Sequence, residues 1–332
     1  MKKILMGLLI IVLMISFCLI GAANEVKVGF ANYSLRPSWM RAYANLVERC
    51  EELGMEPIGI IGEEGYDNEV EALRELIQKD VDVLVISGLP RSYAYPLIEE
   101  AKANGVKCVG MCTDFLDVPN VRPPDIKVGI ELGTIMLEHA LLQGNVVMLQ
   151  PGYELSEAME QRSDFVRDMI KDWYPEMIIS HSPIFPWPDP ESEVVKITED
   201  FLKENPEPKS IVGVIIPWGD EVGIPVAKTI MDMGRTEIAV VSCDGEEGAY
   251  KLIQQGFNYY TVDLNYSEIG RVTAEVCYKV ANGAEFGKEV SWMNWIEPST
   301  ISTKEEATEK LKMVTEEDSK AKKILERFLL HG

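Results

Sequence analysis

From residue 26 onwards, short apolar runs alternate with longer stretches in which apolar residues recur every three or four positions. Lys27–Ala31, Pro57–Ile61, Val81–Ser87 and Val106–Met111 are the first runs. Between them, Trp39, Tyr43, Leu46, Val47, Cys50 and Leu53 fall on one helical face, and Val70, Leu73, Leu76 and Ile77 on another. The short runs have strand length and the spaced stretches have helical period. Ser38 is placed to cap the first helix and Gly54 to end it. Strands and helices that alternate with short connections predict a parallel sheet with right-handed crossovers. The alternation pauses at Asp117–Asp125, where Pro119, Pro123 and Pro124 oppose regular structure. It restarts with a helix over Gly129–Gln143, a strand over Val146–Gln150, a helix over Leu155–Asp172 and a strand over Met177–Ser180. A rigid proline-rich loop, Pro183–Pro190, and a helix to Glu204 follow. The prediction is an α/β chain of two Rossmann-like lobes, each a parallel sheet flanked by helices.

Two later runs stand out. Ile211–Ile216 stops at Pro217-Trp218-Gly219-Asp220, and Glu237–Val241 stops at Ser242-Cys243-Asp244-Gly245. Continuous Val/Ile runs mark parallel strands buried on both faces, and ligands bind at the carboxyl ends of such strands. Trp218, Asp220 and Asp244 are therefore expected to line a crevice. A strand over Phe257–Leu264, a helix over Ser267–Ala281, a short strand near Thr300–Ser302 and two charged helices complete the chain. In the last helix Ala321, Ile324, Leu325, Phe328 and Leu329 form an apolar stripe expected to dock on the body of the protein.

A length of 332 residues exceeds what one core ordinarily supports, which favours two domains. Lys2 and Lys3, the uncharged run Ile4–Ile20 and the exit Gly21-Ala22-Ala23 read as a secretory signal peptide over residues 1–23. A membrane anchor is the competing reading, and Cys18 raises a lipoprotein that bulky Phe17 disfavours. Removing Lys2 and Lys3 leaves 30 basic against 54 acidic residues, a balance of −24. That charge disfavours nucleic acid and anionic membranes as partners. Cys50, Cys108, Cys112, Cys243 and Cys277 show no C-x-x-C spacing and no disulfide framework.

No G-x-G-x-x-G follows a strand, and neither a phosphate-cradling G-x-x-x-x-G-K-[ST] nor a G-x-S-x-G elbow is present. His139, His181 and His331 lack metal-ligand spacing, so no metal or cofactor is expected, and His139 reads as a structural residue within a helix. Asp220 and Asp244 fit either of two uses. Paired carboxylates serve glycoside hydrolysis, and they also accept hydrogen bonds from the hydroxyls of a bound polar ligand. No base, nucleophile or metal set accompanies them, which favours binding over catalysis.

An export signal, tandem α/β lobes, V-V-x-x-D-G at one strand end and W-x-D-E at the one before it resemble the sugar-type (ribose-binding-like) type I periplasmic binding proteins that serve ABC importers. The resemblance runs from about Val26 to Thr303. It implies a three-segment hinge, with residues 24–126 and 265–292 in one lobe, 127–264 and 293–303 in the other, and 304–332 as a helical extension. The family's aromatic pair falls on Ser38-Trp39, within Arg36-Pro37-Ser38-Trp39. Its Asp-Arg sugar clamp falls on Cys112-Thr113 and is missing, with Asp114 as the substitute. Its helical arginine matches Arg162, its Asn-Asp falls on Gly219-Asp220, its D-G aspartate on Asp244, and its crossover glutamine near Asn265.

The resemblance thus implies a ligand set of Arg36, Trp39, Asp114, Arg162, Trp218, Asp220, Asp244 and Asn265. A polar ligand would stack on Trp39 or Trp218 and hydrogen-bond to Asp220, Asp244, Arg162 and Asn265 as the lobes close. The partners implied are a sugar or polyol and an ABC permease, for a monomer in the periplasm or cell envelope. A ligand-binding component of a sensory receptor is the alternative, and a secreted carboxylate hydrolase a remote one. A sugar-responsive repressor is disfavoured, because an export signal stands where its DNA-binding helices would be.

Overall fold

The apolar runs become strands wherever both faces can be covered. A computed structural model describes residues 25–32, 36–62, 65–139, 145–149, 157–173, 178–181 and 190–329. The signal segment and the loop over 183–189 lie outside these residues. The first sheet holds β1 (Val26–Asn32), β2 (Met55–Ile61), β3 (Val83–Ser87), β4 (Lys107–Met111) and β5 (Asn120–Arg122). They are separated by α1 (Pro37–Glu52), α2 (Tyr66–Gln78) and α3 (Arg91–Ala103). The second sheet holds β6 (Asn145–Met148), β7 (Ile178–His181), β8 (Ile211–Ile215), β9 (Ala239–Cys243) and β10 (Tyr259–Asp263). Its helices are α4 (Asp125–His139), α5 (Glu157–Trp173), α6 (Pro190–Glu204), α7 (Asp220–Asp232) and α8 (Glu247–Gln255). The chain continues through α9 (Tyr266–Ala281), β11 (Met293–Trp295), β12 (Ser299–Ile301) and α10 (Lys304–Leu325).

The strand order is β11-β5-β4-β3-β1-β2 in one sheet and β12-β10-β9-β8-β6-β7 in the other. Among the described residues all strand pairings are parallel except that of β12 with β10. In both sheets the order reverses beside the first strand, and this switch point leaves a crevice at the carboxyl ends. Every residue of β3 and β9 is buried, which is why both read as unbroken apolar runs.

The chain passes between sheets after β5, after β10 and between β11 and β12. The last passage differs from expectation: Met293–Trp295 pair with Asn120–Arg122 of the first sheet, so the crossing follows Trp295 rather than residue 292. α9 returns to the first lobe and lies so close to α1 that a Cβ on Gly270 would sit 1.9 Å from the Ala42 carbonyl oxygen. Ser38 is not the cap of α1. The cap position is Arg36, Pro37 opens the helix, and the Ser38 hydroxyl is used elsewhere. His139 is structural: its ring stacks on Tyr260 at 3.9 Å, with the Tyr260 hydroxyl 3.1 Å from Nδ1. The five cysteines from Cys50 to Cys277 are buried free thiols.

The charged C-terminus forms one 22-residue helix, α10, where two were expected. Thr303 and Glu306 close a capping box at its start. Its first half packs Ala307, Leu311 and Val314 into the second lobe, and Lys310 reaches Asp263 at 2.7 Å. Its second half packs Ala321, Ile324 and Leu325 into the first lobe's core, and Asp318 accepts from Arg41 at 2.7 Å. The apolar stripe thus docks on the first lobe through Ala321, Ile324, Leu325 and Phe328, while Leu329 stays exposed.

Candidate functional site

The carboxyl ends of the two sheets face each other, and side chains cross between them. From the first lobe, the Ser38 hydroxyl donates to Glu246 at 3.0 Å, and Arg41 donates to the Gly245 carbonyl at 2.9 Å. Arg36 pairs with Glu221, and its guanidinium lies 4.7 Å from the centroid of the Trp218 ring. Tyr266, at the start of α9, donates to Asp244 at 3.3 Å. Both β8 and β9 end in buried carboxylates, but these are bound very differently.

Asp220 is fully buried and accepts four hydrogen bonds from the protein. Oδ2 takes the backbone N–H groups of Gly245 and Glu246 and the Thr261 hydroxyl, each at 2.9 Å; Oδ1 takes the Tyr259 hydroxyl at 2.8 Å. Each carboxylate oxygen offers about two acceptor positions, so Oδ2 is saturated, and the one position left on Oδ1 lies on a side chain closed off from solvent. Burial pushes its pKa well up, against the opposing pull of the Glu246 N–H.

Asp244 is also buried, yet Tyr266 is the one hydrogen-bond partner of its carboxylate among the described residues. Its backbone sits at φ 101°, outside the usual left-handed well, held by its N–H donating to the Val262 carbonyl at 3.0 Å. Such strain costs on the order of 1–3 kcal/mol and persists where the surroundings over-determine it. Gly219 is what lets the carboxylate lie where it does, because a Cβ there would be 2.4 Å from Asp244 Oδ2. Burial raises the Asp244 pKa to about 6, with Arg162 pulling it down.

Arg162 is buried on α5, with Nε on Asp125 and Nη1 3.5 Å from the Cys243 sulfur. Burial opposes its charge, but Asp125 and its neighbours outweigh this and raise its pKa. Its Nη2 group has no protein partner among the described residues. Asp114 joins a wider ionic network: Arg91 lies 3.1 Å from Oδ1, Arg122 lies 3.1 Å from Oδ2, and Gln161 is 3.5 Å away. Arg122 also pairs with Asp125, so this aspartate, at the first crossing, holds arginines from both lobes.

Trp39 is half-buried. Its ring lies 5.5 Å from that of Tyr266 and covers Gly88 at the end of β3. Asn265, at the second crossing, adopts φ 59°, and its side-chain amide has no protein partner among the described residues. Trp218 is buried in the second lobe's core, and Arg36 covers its face. Contacts therefore link Trp39, Asp244 and Arg162 through Tyr266 and Cys243, whereas Asp220 and Trp218 are built into the second lobe. Ser38, Arg41, Tyr266, Glu246, Arg122 and Asp125 also belong to this region, and no local motif marks them.

A family profile described as "Periplasmic binding protein domain" matches residues 28–285. The chain belongs to that family. Among curated proteins it is 22% identical over 185 residues to a xylitol-binding protein of Mycolicibacterium smegmatis, covering 54% of this chain and 51% of that one. It thus spans about half the length of that relative. It is also 22% identical over 259 residues to the galactofuranose-binding protein YtfQ of Escherichia coli, covering 75% of this chain and 80% of that one. Among solved structures, an ABC transporter solute-binding protein from Agrobacterium vitis with bound allitol superposes with a TM-score of 0.79 at 18% identity, covering 87% of this chain and 99% of that one. At this identity the likeness shows the fold.

Proposed function

We propose that this protein is an exported solute-binding component that captures a sugar or polyol between its lobes and delivers it to an ABC permease. Relatives that bind xylitol, galactofuranose and allitol support a polyhydroxy ligand. The observation that carries the reading is the contrast between the two carboxylates. Asp244 keeps acceptor positions open beside an arginine with donors to spare, whereas Asp220 is fully buried and bound by four protein donors.

Asp244 accepts from ligand hydroxyls, Arg162 and Asn265 contribute polar contacts, and Trp39 with Tyr266 supplies an aromatic face for C–H surfaces. Asp114, held by Arg91 and Arg122, restores a carboxylate–guanidinium clamp with arginines drawn from α3 and β5. Asp220 braces the Gly245-Glu246 turn and so aims Asp244 without touching the ligand. Arg36, with Trp218 and Glu221, latches the closed lobes. A glycosidase pair needs both carboxylates turned toward the substrate, and Asp220 is committed to the fold.

A thermal-shift panel of xylitol, allitol, D-allose, D-galactose and glycerol tests this. Ligand at a hundredfold excess over Kd adds about 2.7 kcal/mol, which shifts Tm by several degrees. At least one polyol or aldose is expected to do so for the wild type, and none for Asp244→Ala. No shift with any compound would overturn the reading.

A further inference from the structure

We propose that Glu69, presented beside Ser87, is a further ligand-contacting residue that accepts a hydrogen bond from a hydroxyl at the ligand end nearest β3. The inference rests on the sugar or polyol reading above and extends the site beyond the positions matched by family resemblance. Glu69 lies in the first turn of α2 and is 8% exposed. No cation pairs with it among the described residues, and its one side-chain hydrogen bond there comes from Ser87 at 3.4 Å.

That bond is weaker than its length alone suggests. The Tyr43 hydroxyl donates to the Ala31 carbonyl at 2.8 Å and also makes a short contact with the Ser87 hydroxyl. With Glu69 ionised, Tyr43 and Ser87 bring two protons to three contacts, so one acceptor goes without. Glu69 has the longest of the three. A buried carboxylate left this way costs stability unless another donor reaches it.

A purely local role does not account for the burial. An acidic side chain favours a helix N-terminus by about 0.3–1 kcal/mol, but exposed Asp67 already provides this in the same turn. Burial also pushes the Glu69 pKa well up, partly offset by Ser87. Its location gives it a use. Ser87 ends β3, Gly88 follows directly, and the Trp39 ring covers Gly88, where a Cβ would be 3.4 Å away. Trp39 leads to Tyr266 at 5.5 Å, and the Tyr266 hydroxyl leads to Asp244. One wall thus runs from Asp244 to Glu69, with an acceptor at each end and aromatic rings between. An uncharged polyhydroxy chain fits such a wall.

Calorimetric titration of wild type, Glu69→Gln and Asp244→Asn with xylitol, allitol, D-allose and glycerol tests the assignment. For the compound that binds wild type, Glu69→Gln is expected to raise Kd about tenfold while Tm without ligand stays equal or rises. A Kd within twofold of wild type in a folded Glu69→Gln protein would overturn the inference and leave the function intact. If no compound binds wild type, the functional reading fails and takes the inference with it. Should Glu69→Gln not fold, Glu69→Asp, which withdraws the carboxylate by one methylene, is read by the same criterion.

Discussion

Replacing Asp220 separates bracing from ligand contact, because alanine and asparagine remove different things. Alanine strips the acceptor from four buried donors: the N–H groups of Gly245 and Glu246 and the hydroxyls of Thr261 and Tyr259. The hydroxyls can turn toward other acceptors, but the two N–H groups cannot. At about 1–3 kcal/mol for each orphaned donor, Asp220→Ala is expected to cost about 3–5 kcal/mol. Asparagine can place its carbonyl oxygen where Oδ2 now accepts three bonds. Its NH2 then meets the Tyr259 hydroxyl, which can accept instead of donate. It also removes a carboxyl whose ionised form burial disfavours. Asp220→Asn is therefore expected to change stability by less than about 1 kcal/mol. Urea unfolding followed by tryptophan fluorescence gives both values, and titration with the bound polyol gives Kd for each folded variant. The reasoning is refuted if alanine costs under about 1 kcal/mol while Kd rises more than tenfold, for then Asp220 would serve the ligand and not the turn.

Three further outcomes follow from the same geometry. Between the ordinary carboxylate pKa of about 4 and the value of about 6 for Asp244, the folded state holds more protons than the unfolded. Stability without ligand should therefore fall as pH rises through that window, while affinity should weaken about tenfold per pH unit below about 6. Buried Asp220, Glu246 and Glu69 are raised in the same direction, so Asp244→Asn is the control, and a Kd flat from pH 4.5 to 7.5 would contradict the role given to Asp244. Gly270→Ala would force a methyl against the Ala42 carbonyl and should destabilise the first lobe by several kcal/mol, read as a lower urea midpoint. Ending the chain at Thr303 uncovers apolar residues of both lobes that α10 buries, and should lower Tm by more than 10 °C; an unchanged Tm would show that the helix adds nothing.

The fold was legible because its cause is local and repeated: the apolar runs Val81–Ser87 and Glu237–Val241 have the length and Val/Ile content of strands covered on both sides, and strands form there over Val83–Ser87 and Ala239–Cys243. What distant pairing decides was not. Met293–Trp295 carries no mark of which sheet it joins, and only its bonds to Asn120–Arg122 settle it. Asp220 and Asp244 look alike in sequence, each a carboxylate after an apolar run. They differ because residues up to 41 positions away donate to one and not to the other. Ser38 reads as a helix cap until Glu246, 208 positions on, takes its hydroxyl. Glu69 falls within a helical pattern whose polar positions are otherwise solvated, so nothing local distinguishes it from Glu71 or Glu75.

A crystal structure at saturating concentration of a polyol that raises Tm tests the central claim most directly. The account predicts ligand between the lobes, its hydroxyls within hydrogen-bond distance of Asp244 and Arg162 and its carbon face against Trp39, with Asp220 still bound to Gly245 and Glu246. Ligand outside the cleft, or bonded to Asp220 and not to Asp244, would contradict it.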